Sequence, residues 1–171
     1  MATPTTLPAT FVSGAVLTAA QQNDLRGAFR VLQVVSTVTG TTVDSSSTSF
    51  APTTLAATIT PTATSSKILV LITHPSCYKS VGNTANGLNM ELHRDIGGGG
   101  FSNILSIGRQ IGFTGTALEL LFAMVGSHMD SPASVAAITY RTMFANNVAA
   151  NLVRVQLGSF NSQITLMEIS A

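Results

Sequence analysis

His74-Pro75-Ser76-Cys77 is the place in this 171-residue chain where an imidazole and a thiol lie close in sequence. Such pairs serve in metal sites and in cysteine nucleophiles. Neither chemistry is completed here. Pro75 bends the chain between the two groups, and no second close-spaced pair supplies the rest of a coordination shell. On a regular strand, side chains three residues apart face opposite sides, which separates His74 from Cys77. No acid is placed to orient the imidazole. His93 and His128 lie in other segments and read, like His74, as structural or surface groups.

Glu91 and Asp95 could share one face of a strand, but nothing marks them as a glycosidase pair. The glycine run 97–100 is not followed by a helix with phosphate-facing amides, so it reads as a flexible loop. There is no Gly-x-Ser-x-Gly elbow, no Trp, and only Tyr78 and Tyr140 for stacking on a sugar. No catalytic, cofactor-binding or metal-ligating residue is assigned, and the chain does not read as an enzyme.

The elements that would position these groups are strands. Ile68–Ile72 are five apolar residues in a row between Ser65-Ser66 and Pro75-Ser76, and Leu118–Val125 form a second run broken only by Glu119. Runs of this length between turn signals read as strands covered on both faces. Ile68, Val70, Ile72, Leu120, Phe122 and Met124 are the expected core and subunit-interface residues. Other segments alternate with period two. Leu32, Val34 and Val38 share one face of 30–38, Leu55, Ala57 and Ile59 alternate with threonines, and Leu88, Met90 and Leu92 oppose Asn89, Glu91 and His93. Further strands are expected at 104–107, with Gly108 opening a loop, at 138–144, at 153–157 and at 164–169. Eight to ten short strands without strand–helix alternation predict an all-β, antiparallel jelly-roll β-sandwich over 30–171.

Residues 1–29 differ. A Pro/Thr stretch predicts an extended arm, and Thr18-Ala19-Ala20-Gln21 matches a capping box that predicts a short helix from Ala19 to about Arg26. Phe11, Leu17, Leu25 and Phe29 are the expected anchoring residues.

Composition narrows the class. Charged residues make up 9% of the chain against roughly 25% in an ordinary domain, with 18 Ser and 23 Thr in their place. A surface so short of charge repels its neighbours poorly, which predicts burial in a permanent assembly. A net charge of +1 gives no footprint for nucleic acid or an anionic membrane, and no apolar stretch reaches the roughly 18 residues of a membrane span. One cysteine excludes an internal disulfide framework, and the first residues lack the basic and apolar regions of a signal peptide.

Phe11-Val-Ser-Gly-Ala-Val-Leu-Thr-Ala-Ala-Gln-Gln-Asn-Asp-Leu-Arg-Gly27 is similar to the G-x-V-L-T-A-A-Q-x-N segment of tail-fibre-like and appendage structural proteins of tailed bacteriophages. The stretch from Ala57-Thr-Ile-Thr-Pro-Thr-Ala-Thr-Ser-Ser-Lys-Ile-Leu-Val70 to Ile164-Thr-Leu-Met-Glu-Ile169 resembles the small β-domain of such proteins. The resemblance implies a homotrimeric component of the virion surface, attached through its arm to proteins of the tail, neck or capsid and projecting its sandwich towards a host-surface receptor. A long fibrous shaft is missing, which keeps a capsid decoration role, as cement or head fibre, open. A free trimeric binding protein of tumour-necrosis-factor-like shape is the further alternative. Loops around 79–87, 97–103 and 145–151 are expected to form the outer surface together.

Overall fold

Ile138, Tyr140, Thr142 and Phe144 are fully buried while the residues between them point away, so period-two alternation decides which side of this strand meets the core. The same rule runs through the chain. The computed structural model describes residues 14, 16, 18, 19, 31–81, 84–149 and 151–170. The expected arm, nearly all of the expected helix and the anchoring residues Phe11, Leu17, Leu25 and Phe29 lie outside the described residues.

Ten strands follow in order: β1 (Val31–Thr39), β2 (Val43–Ser45), β3 (Ala51–Ile59), β4 (Lys67–Lys79), β5 (Leu88–Ile96), β6 (Ser102–Ile111), β7 (Leu120–Asp130), β8 (Ile138–Asn146), β9 (Val153–Val155) and β10 (Ser162–Ile169). The larger sheet runs β1-β10-β4-β7, and the smaller runs β3-β8-β5-β6. Without the three-residue strands β2 and β9, the first long strand pairs with the last, the second with the seventh, and the third with the eighth and the sixth. That nesting is the jelly roll, and every pairing is antiparallel. β7 lies along the whole of one edge of β4, so β10 and β9 must share its other edge, beside Lys67–Thr73 and Cys77–Lys79 respectively.

The core lies between the sheets in two clusters. One gathers Leu55, Ile59, Ile68, Val70, Ile72, Tyr140, Ile164 and Leu166; the other gathers Cys77, Leu88, Met90, Met124, Phe144, Val153 and Val155. Two sequence expectations are corrected at β6 and β7. β6 extends from Ser102 to Ile111 rather than stopping at Ile107, and β7 runs on to Asp130. Gly108, expected to open a loop, sits inside β6, because a Cβ there would come within 2.7 Å of Ile111 and 3.0 Å of Met124. The strand needs a residue without a side chain at that point.

Strand direction places the connections. Val31, Ile59, Lys67, Ile96, Asp130, Ile138 and Ile169 all lie at one end of the sandwich, which carries the loops 60–66, 97–101 and 131–137. Loops 40–50, 80–87, 112–119 and 147–161 lie at the other end. The expected outer surface is therefore divided: 97–103 belongs to the end where β1 starts, opposite 79–87 and 145–151. An odd number of antiparallel strands between two loops always sends them to opposite ends.

The end where β1 starts is stapled by polar groups. Arg94 Nη1 donates to both carboxylate oxygens of Asp130 at 2.8 and 2.9 Å, and Tyr140 Oη donates to Asp130 Oδ2 at 2.6 Å. Burial, and then the bond to Asp130, push the Tyr140 phenol up and keep it a donor. Glu168 accepts from the Thr62 amide and hydroxyl at 2.7 Å each and from Gln33 Nε2 at 2.6 Å. The glycine run is likewise tied. Gly100 N donates to Asp95 Oδ1 at 3.0 Å, and Gly97 and Gly98 turn the chain at φ 62° and 81°, where other residues strain.

Val70→Asp is expected to abolish soluble folded protein, because it places an unpaired charge between the sheets; soluble yield and the far-UV spectrum check this. Asp130→Ala is expected to cost about 3 kcal/mol by leaving Arg94 and Tyr140 unmatched, read from the urea midpoint.

Candidate interaction surfaces

A β-bulge in β4, between His74 and Cys77, changes the geometry expected of that pair. Regular spacing would put the two side chains on opposite faces; the bulge at Pro75-Ser76 brings both to the inner face, each fully buried. His74 Nε2 lies 3.1 Å from Thr142 Oγ1, its Nδ1 lies 3.4 Å from the Gln156 amide, and Thr142 is hydrogen-bonded to Thr53. These groups form a polar seam between the two hydrophobic clusters. Burial lowers the His74 imidazole to about 4 and raises the Cys77 thiol to about 12. A nucleophilic pair needs the opposite shift at sulfur, so the seam holds two neutral groups.

His93 and Glu91 lie instead on the outer face of the smaller sheet, where His93 Nε2 is 2.9 Å from Glu91 Oε2 and Arg109 pairs with the same carboxylate. The Arg141 guanidinium lies 3.5 Å from the centroid of Phe101, and that of Arg109 lies 5.1 Å from Phe50. Asp95 adds a further charge on this face. His128 is half-buried on the inner side of β7, beside Val70 of β4. Among the described residues no group of three or more His, Cys, Asp and Glu side chains is placed to hold a metal ion.

The outer face of the larger sheet has the opposite character. Register sets Val34, Met167, Leu69 and Met129 in one row across β1, β10, β4 and β7. The next outward rows are Ser36, Thr165, Leu71 and Ser127, then Val38, Gln163, Thr73 and Val125. None of these side chains is ionisable. Val125 is 71% exposed, Val34 and Val38 are each 56% exposed, and Leu121, further along β7, is 62% exposed. Lys67 marks the end of this face where β1 starts.

The six residues expected to serve core and interface together divide between inner positions. Ile68, Val70, Ile72 and Met124 are buried in the core, and Leu120 and Phe122 are half-buried on the same side of β7. None of them faces outward. The outward set is the alternate one, and Val34 and Val38 belong to it although they repeat like core residues. The signal was in the apolar runs themselves, at every second residue.

At the loop-rich end, Lys79 is buried and its Nζ donates to Thr114 Oγ1 at 2.6 Å and to Thr116 O at 3.3 Å, which ties 112–119 down. Val81, Phe113 and Leu118 stay half exposed there among Ser, Thr and Asn.

No family model matches the chain, and no curated protein matches it. The crystal structure of the VP2 subviral particle of infectious bursal disease virus matches at 12% identity and a TM-score of 0.47, over 82% of this chain and 34% of that one. The structure of the Gx strain of the same virus matches at 10% identity and a TM-score of 0.37, over 82% and 39%. The chain thus spans between 34% and 39% of the length of these two structures. Likenesses at these scores carry no conclusion about its role, and the jelly roll rests on its own strand order.

The buried imidazole sets a pH dependence. Above pH 6.5 His74 is neutral in both folded and unfolded chains. Between 6.5 and about 4 the unfolded chain binds a proton that the folded one does not, so stability falls as acid is added and levels off below about 4. At about 1.4 kcal/mol per unit, the loss comes to roughly 3 kcal/mol. Urea melts at pH 7 and pH 4.5 are expected to show most of that loss, and His74→Gln is expected to reduce it.

Proposed function

We propose that the chain is a structural component of a virus particle. In this reading residues 1–29 fasten the jelly roll to another virion protein of the tail, neck or capsid. The role is mechanical and adhesive, without catalysis. The resemblance of 11–27 to the leading segment of phage appendage proteins supports it, as does a chain with 9% charged residues.

The polarity of the sandwich carries the reading. β1 starts at Val31, at the end stapled by Asp130 and Glu168, so an arm that ends at residue 29 meets the module on its best-tied side. The opposite end carries loops 40–50, 80–87, 112–119 and 147–161, with Val81, Phe113 and Leu118 half exposed among hydroxyl and amide groups. An anchored module turns that end outward, and a host-surface receptor would meet it there.

The test is deletion of residues 1–29. The shortened chain is expected to fold, with the far-UV spectrum of a β-sandwich, and to be missing from purified particles. Incorporation at the level of the full chain would overturn the anchoring. Gold labelling of intact particles with an antibody to the module then gives its address, over the shell for a decoration protein and at the tail for an appendage.

A further inference from the structure

We infer that the outer face of the larger sheet is buried against the same face of a second copy of this chain. The face is an unbroken four-strand surface whose rows hold valine, leucine, methionine, serine, threonine and glutamine, with no ionisable group in them. The other outer face, on the smaller sheet, carries Glu91, His93, Asp95 and Arg109. On the larger sheet the uncharged rows form a patch bounded by Lys67 at one end and by the Arg154–Asp44 pair of β9 and β2 at the other.

Three observations choose a second copy as the occupant. Without charge in these rows, a charged partner finds nothing to pair with there, and two copies meet there without repulsion. The rows are also self-complementary. When one copy is laid face to face on another about an axis along the Ser36–Ser127 row, Val34 falls over Val38, Met129 over Val125, and Leu71 over its own equivalent. Apolar edges then meet apolar edges, and the hydroxyl row meets itself.

Area is the third. Four strands about 4.8 Å apart and eight residues at about 3.3 Å each give a face of roughly 500 Å². Two such faces together remove about 1,000 Å², the lower bound of a specific interface. Left open, the face would be as large as the biggest apolar patches that monomers show, roughly 300–600 Å².

The proposal stands apart from the virion reading, because it concerns the purified chain and makes no use of residues 1–29. The experiment is light scattering coupled to size exclusion on the full chain and on three single variants, with far-UV spectra and thermal melts to show that each is folded. The full chain is expected at twice 17.7 kDa. Val125→Lys and Val34→Glu, both at exposed positions, are expected to lower the mass to that of one chain, whereas Asn103→Glu, on the smaller sheet, leaves it unchanged. The chain lacking residues 1–29 is expected to keep the full chain's oligomeric state.

A mass of one chain or of three for the wild type would overturn the proposal. So would an oligomer that both charged variants leave intact. Dissociation on removing residues 1–29 would make the arm the occupant and would equally overturn it. Loss from particles of an otherwise oligomeric truncated chain bears on the anchoring alone.

Discussion

A strand in a two-layer fold can hide only one of its faces, and β4 is apolar on both. Ile68, Val70 and Ile72 meet the smaller sheet, so Leu69 and Leu71 must point the other way. Because β4 pairs along one edge with β7 and along the other with β10 and then β9, that constraint spreads sideways. Met167 and Thr165 of β10, Met129 and Ser127 of β7, and Val34 and Ser36 of β1 are all carried to the outer face by their register with β4. The uncharged outer surface is thus the geometric counterpart of the core.

The core also contains polar groups, and the bulge in β4 explains where. Pro75 and Ser76 together oppose the single residue Ala123 of β7, and that one extra residue shifts the alternation so that His74 and Cys77 both turn inward instead of parting. His74 then meets Thr142 of β8 across the sandwich, and the hydrophobic interior is left in two clusters rather than one. The same burial that makes both groups neutral makes the site sensitive to acid. The bond from His74 to Thr142 is the one that crosses the sandwich, whereas Thr53 meets Thr142 within the smaller sheet and Gln156 meets His74 within the larger.

Much of this was legible from residue order alone. The alternation of Ile138, Tyr140, Thr142 and Phe144 marked the inner face of β8, and the lack of strand–helix alternation marked an all-β sandwich. The Cys77–His74 relation was not legible, because a bulge is a matter of what the neighbouring strand pairs with, and β7 lies some fifty residues away in sequence. Gly108 was misread for a similar reason: a glycine in a strand looks like a loop until Ile111 and Met124 are seen to occupy the space. The grouping of 97–103 with 79–87 failed although the sequence already showed one strand between them, and a single antiparallel strand sends the two loops to opposite ends.

Composition and period two determined by themselves that this chain forms antiparallel strands, buries one set of alternate residues and carries few charges. Both follow from local geometry, the two-residue repeat of the strand and the cost of burying charge. Only the tertiary structure decided which apolar residues of β1, β4 and β7 face the core and which face outward. Those outcomes depend on pairing between strands distant in sequence, where a shift of one residue exchanges the faces and no local signal records it.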